Sequence, residues 1–217
     1  MKPRLAVLPA ALALLMLTAC GKDEGPLPPL AYVPADTPYV MGAIEPIPQA
    51  VADQWLALSN TLLPLYRDLL DQSIAELEGK PAEEAPGLPL LRGMRAELEG
   101  KTDLAQLAEA WGLTLTPLSA VYGIDLVPVL RLELADPARF AEGVARMETS
   151  AGVSLSRGTV DELAYWSFQP EGAPLRLVFA TQANQLVATL APTAPDDALL
   201  RRLLGLEQPV EQLAADH

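Results

Sequence analysis

The sequence predicts an α+β domain: an antiparallel sheet with helices packed on one face, helix-rich in its first half and strand-rich in its second. Three patterns carry that expectation. Val51, Trp55, Leu58, Leu62, Leu65, Leu69 and Leu77 recur mostly at three- or four-residue spacing, which is the helical period. From Leu118 to Leu134 every even position is apolar or proline, which is the strand period. Further on, Leu175 to Ala180 and Leu186 to Leu190 flank Gln182-Ala183-Asn184-Gln185 as the arms of a hairpin.

Taken in chain order, Gly25-Pro26-Leu27-Pro28-Pro29 supports neither helix nor sheet ladder, so residues 20 to 38 are expected to form an extended tether. The folded domain is placed at 39–217, helix-rich over 39–112 and sheet-rich over 113–205, and opens with a short strand over Tyr39 to Ile44. Pro64 interrupts the helical stretch that follows. It removes a backbone donor and crowds the preceding turn, which predicts a kink, or two helices meeting near Asn60 to Leu63. Residues 81 to 89 read as an acidic, proline-rich loop, followed by a helix around Leu90, Leu91, Met94 and Leu98.

Asp103 and Gln106 stand at capping-box spacing and open another helix, with Leu104, Leu107 and Trp111 as its buried face and Gly112 as its stop. The alternating run 118–134 is too long for one strand, and Gly123, Asp125 and Pro128 divide it into two. Asp136 and Pro137 start a helix that carries Phe140, Val144 and Met147 to Gly152. One or two strands follow over 153–168. The last helix has Pro195, Asp196 and Asp197 at its positive end, Arg201 and Arg202 at its negative end, and Gly205 beyond. A weak internal duplication is also visible: Val40, Pro48, Val51, Trp55 and Leu58 match Val129, Pro137, Phe140, Val144 and Met147 at a constant offset.

The formal charge of the 217-residue chain is -13. Lys and Arg cluster only at Arg201-Arg202, so phosphate-rich partners are repelled and nucleic acid is excluded as a partner. The residue inventory also points away from an enzyme. The single histidine is His217, the last residue, which argues against Ser-His-Asp and Cys-His catalysis. No Ser-x-x-Lys, Gly-x-Ser-x-Gly, His-Glu-x-x-His, phosphate loop or Asp-x-Asp-x-Asp-Gly calcium loop is present, and no metal or cofactor is implied. Carboxylate chemistry leaves Glu83-Glu84, Asp161-Glu162 and Asp196-Asp197 as candidates, each in a loop or helix-start context with a structural explanation. Trp55, Trp111, Trp166, Tyr122, Tyr165 and Phe168 are expected in the core, with Trp166 and Tyr165 on opposite sheet faces.

The first residues concern location. Lys2 and Arg4, the apolar run Leu5 to Leu17 and the small residues Thr18 and Ala19 form the three regions of a secretory signal, predicted to be removed before Cys20. The run is too short to cross a membrane as a helix. Leu17-Thr18-Ala19-Cys20 resembles the lipobox of bacterial lipoproteins, and Cys20 is the only cysteine. That resemblance implies diacylglyceryl on the Cys20 sulfur and an acyl chain such as palmitate on its freed amine, a practically permanent anchor. Gly21, where an acidic residue would favour retention in the inner membrane, implies the outer membrane, with the protein facing the periplasm. Loss of Lys2 and Arg4 takes the mature charge to -15, so the body is expected to stand off anionic lipid.

Val33 to Pro48 and Gly123 to Phe140, with its Val-Pro-Val-Leu-Arg-Leu-Glu-Leu-Ala-Asp-Pro run, resemble a family of proteobacterial envelope lipoproteins without an assigned function. Members of that family are longer, which implies that this chain is the N-terminal part of a larger protein. The resulting expectation is a lipid-anchored periplasmic binding or scaffold protein with an envelope protein partner. Two alternatives stand beside it: a carrier or sensor of an apolar ligand or lipid, and a carboxylate-based hydrolase.

Overall fold

The computed structural model describes residues 27–85 and 87–207, so residues 1–19, expected from the sequence to be a signal peptide, Cys20 and the final ten residues lie outside the described part. Seven strands make one antiparallel sheet: β1 (Val40–Ala43), β2 (Ser119–Ile124), β3 (Val127–Glu133), β4 (Ser156–Val160), β5 (Leu163–Phe168), β6 (Leu175–Gln182) and β7 (Gln185–Pro192). Their order across the sheet is β1-β2-β3-β7-β6-β5-β4. Five helices accompany them: α1 (Gln49–Glu78), α2 (Leu88–Glu97), α3 (Leu104–Trp111), α4 (Pro137–Ala151) and α5 (Asp197–Leu204). The α+β class and the antiparallel sheet are as the sequence predicts.

Local chemistry sets most boundaries. Asp103, Asp136 and Asp196 cap α3, α4 and α5 by accepting bonds from Gln106 N, from Ala138 N and Arg139 N, and from Leu199 N. Each of these helices ends on a glycine in left-handed backbone. Three hairpins, β2–β3, β4–β5 and β6–β7, close through two-residue turns whose first residues, Asp125, Asp161 and Ala183, all have positive φ near 50°. That geometry matches the strand twist.

A two-residue turn also reverses parity. Tyr122 pairs with Val129 and Ile124 with Val127, so even positions of β2 share a face with odd positions of β3. The continuous even-numbered apolar pattern of 118–134 is therefore split between the two faces of the sheet. Ala120, Tyr122, Ile124, Val129, Val178, Ala180, Val187 and Ala191 lie on one face, packed against Val33 and against Leu200, Leu203 and Leu204 of α5. On the other, Leu134, Phe140 and Val144 pack with Trp111, Leu113, Leu155, Trp166, Phe179 and Leu186. Neighbouring strand residues point to opposite faces. The helices accordingly divide between faces: α5 closes one, and α3 and α4 cover part of the other, instead of all sharing a single face.

Two further differences from the sequence reading concern the chain's first folded residues and α1. The extended tether does not reach residue 38. Pro29–Tyr32 form a short 3-10 helix, and Val33 is fully buried. The Gln185 side-chain amide donates to Leu27 O, tying the segment to the sheet. At α1, one helix of 30 residues runs through Pro64 without dividing. Interior proline costs about 3 kcal/mol, and contacts on both sides of it hold the segment helical. Asn60 Oδ1 accepts from Leu104 N at 2.8 Å, and Arg67 donates to Leu98 O and Lys101 O. Helix α1 packs on α2 and α3, and α2 packs on α4, where Gly93 is the point of close approach: a Cβ there would sit 2.6 Å from Met147 Sδ.

Val33→Ala is expected to lower unfolding free energy by about 2 kcal/mol, from two lost methyl groups plus the cavity left behind. Leu126→Ala, at an exposed turn position, should change it by less than about 0.5 kcal/mol. Urea denaturation of both variants checks this, and an equal response would mean that residues 29–33 are not part of the core.

Candidate functional site

The sheet's closed face contains a polar feature with an unusual charge balance. Arg131 on β3 is completely buried among apolar residues. Its Nε donates to Tyr122 Oη at 3.2 Å, Nη1 to Gln182 Oε1 at 3.0 Å and Gln185 Oε1 at 3.1 Å, and Nη2 to Leu204 O at 2.8 Å. The Tyr32 ring lies 3.7 Å from the guanidinium carbon. Among the described residues no carboxylate forms an ion pair with it. Compensation comes from neutral acceptors, from an aromatic face and from the negative end of α5. Four of the five guanidinium hydrogens are engaged by the protein itself, which makes this a structural hub that leaves little for a ligand.

The acid pairs occupy the structural roles their contexts suggest. Glu83 and Glu84 lie exposed in a short 3-10 helix, Ala82–Glu84. Asp196 caps α5, and Asp197 sits in its first turn. Asp161 and Glu162 make the β4–β5 turn, where Asp161 takes three contacts of 2.9–3.1 Å from Arg201. Between α1 and α2 a cleft of about 320 Å³ is lined by Asp71, Ile74, Arg92, Arg95, Ala96 and Glu99. Asp71 there is met by Arg95 at 2.7 Å. Among the described residues no three His, Cys, Asp or Glu side chains converge as metal ligands, and no helix is long and apolar enough to cross a membrane.

The aromatic residues divide. Tyr122 is buried at the hub, and Trp111 packs edge-on to Phe140 at 5.9 Å while its Nε1 donates to Glu97 at 2.8 Å. Trp166 stacks on Phe179 at 5.4 Å, and Tyr165 packs into the opposite face, as alternation requires. Phe168 is half-buried at the end of β5. Trp55 departs from the expected core position: 59% of it is exposed. Helix α1 has two apolar faces, and the one that packs inward is Leu56, Leu63, Leu70, Ile74 and Leu77.

The candidate functional surface is the part of the second sheet face that α4 leaves open. The register sets Met41, Val121, Leu130 and Ala188 in one row across four strands, with Leu190 and Leu177 paired in the adjacent row. Met41 is 67% exposed, and Leu177 and Leu190 are also exposed. The six residues named carry no charge, in a chain of net charge -13, and the first row runs on through Phe179 and Trp166 before it reaches Arg157 at the β4 edge. Sequence alternation marks each strand as two-faced; it could not mark which face would lack a cover. Cys20 and His217 lie outside the described residues.

No family model matches the chain, and no curated protein or solved structure matches it.

Hydrogen bonds from Arg201 hold the Asp161 carboxyl below its ordinary value of 3.8, against an opposing effect of desolvation, and Asp161 in turn raises Arg201. A carboxylate lowered in this way stabilises the fold at pH above the ordinary carboxylate range, and that contribution is lost as the pH falls through the lowered pKa. Carboxyl NMR titration should place Asp161 below 3.8, and Arg201→Gln should return it toward that value. An unchanged titration in the variant would refute the assignment.

Proposed function

We propose that the protein is a lipid-anchored, periplasm-facing module of the outer membrane that binds an envelope protein through the open sheet face. The carrying observation is the uncharged apolar area formed by Met41, Val121, Leu130, Leu177 and Leu190 on an otherwise acidic domain. Apolar area left open on a folded domain is a common mark of a protein–protein surface. Anchoring rests on the lipobox-like Leu17-Thr18-Ala19-Cys20.

Since Leu27 is tied to the core, only seven peptide units separate it from Cys20. That stretch spans at most about 25 Å, so the β6–β7 end of the sheet, where Gln185 holds Leu27, is kept near the membrane surface. The open face then runs upward from the membrane and is reachable from the side. A partner anchored in the same membrane would meet it at high effective concentration. The second reading, carriage of an apolar ligand, is favoured by the same Leu, Val and Met lining.

Two measurements test this. Cys20→Ser is expected to leave an unprocessed chain without lipid in metabolic acyl labelling; normal processing and labelling would refute the anchor. Affinity capture of the full-length chain from envelope membranes, with mass spectrometry of proteins and lipids, is then compared with Met41→Asp/Leu190→Asp. A protein lost in the variant supports the first reading and a lipid lost in the variant supports the second. Material insensitive to the variant overturns both.

A further inference from the structure

The exposed apolar stripe on α1 is a second surface, distinct from the open sheet face and independent of the function proposed for it. Val51, Trp55, Leu58, Leu62, Leu65 and Leu69 follow one another at spacings of four, three, four, three and four residues. This is the a/d seam of a coiled coil. Five of the six are exposed, and Leu62 is half-buried. The opposite side of α1 is pinned to α2 and α3 by Asn60, Arg67, the Arg95–Asp71 pair and the Arg92–Glu78 pair. The seam therefore cannot turn inward without breaking those contacts. The duplicated pattern sharpens the contrast: Phe140 and Val144, which match Val51 and Trp55, are buried against the sheet.

We infer that α1 pairs antiparallel with α1 of a second copy. In an antiparallel pair an a residue meets a d residue of the other helix. With the two-fold axis beside Asn60, Trp55 meets Leu65, Leu58 meets Leu62 and Val51 meets Leu69, each large side chain against a smaller or equal one. A parallel pair would instead set Trp55 against itself. The positions flanking the seam are Ala52, Gln54, Ser59, Thr61, Tyr66 and Asp68, so a single acid stands beside it and two acidic copies meet little like-charge repulsion there. Pro64 lies off the seam and does not obstruct it.

The full-length chain, solubilised in detergent at tens of micromolar, is expected to show twice the chain mass by light scattering after the detergent contribution is removed. Leu58→Asp/Leu65→Asp should be monomeric while keeping the wild-type far-UV circular-dichroism spectrum, since both side chains are exposed on the single chain. Mixing a Leu58→Cys chain with a Leu62→Cys chain should give a 58–62 disulfide between chains, identified by peptide mass spectrometry. A monomeric wild type, a dimer that survives the aspartates, or a 58–58 disulfide in preference to 58–62 would each overturn the inference. Should the aspartate variant lose that spectrum, the disulfide pattern alone decides. Partner capture at the sheet face does not bear on this result.

Discussion

Burial of one guanidinium organises the domain. Arg131 sits in the closed core with no carboxylate partner among the described residues, and a charge removed from water in that way is tolerated only when its hydrogens are nearly all engaged. Those acceptors come from separate parts of the chain: Tyr122 on β2, Gln182 and Gln185 on either side of the β6–β7 turn, and the Leu204 carbonyl at the end of α5. Tyr32 supplies its ring from the N-terminal segment. None of these segments can leave without stranding the charge. Gly205 is required for the same reason, because a Cβ there would collide with Arg131 Nη2, and the residue also adopts φ 70°. Gln185 serves twice, accepting from Arg131 and donating to Leu27, so the hub extends to the point where the chain leaves the core.

This arrangement makes the two sheet faces unequal. The face that holds Arg131 is closed by α5 and by residues 29–33. The other is covered by α4 at one end, where Trp111, Phe140, Trp166 and Phe179 form a small aromatic-rich core. Toward β1 and the far ends of β6 and β7 the cover runs out. Helix α1 does not supply it, since α2 and α3 hold α1 in a third layer. The open face and the α1 seam share one cause: α1 packs on α2 and α3, while the side chains that meet the sheet on this face come from α4 and Trp111.

Features governed by neighbours within a few residues were legible in the sequence. The aspartate caps of α3, α4 and α5, their glycine stops, and the β6–β7 hairpin depend on short-range hydrogen bonding and backbone sterics. The opposite facing of Tyr165 and Trp166 follows from pleat alone. Features decided by distant partners were not legible. Val33 sits among prolines that favour extended chain, yet it is buried because α5 and β2 come to it. Arg131 stands at an odd position of the run 118–134, and its place on the closed face is not legible because the parity reversal at the β2–β3 turn is invisible in a run that alternates without a break.

By itself the sequence determined the α+β class, most element boundaries, the acidic exterior and the lipobox-like start, because each is encoded locally or in composition. Tertiary structure decided which apolar stripes found partners. Periodicity states that a helix or strand has an apolar face, and nothing in the period states what will lie against it. For α4 the partner is the sheet. For α1, with an apolar stripe at matching positions, the described residues provide none, and that difference leaves the stripe exposed.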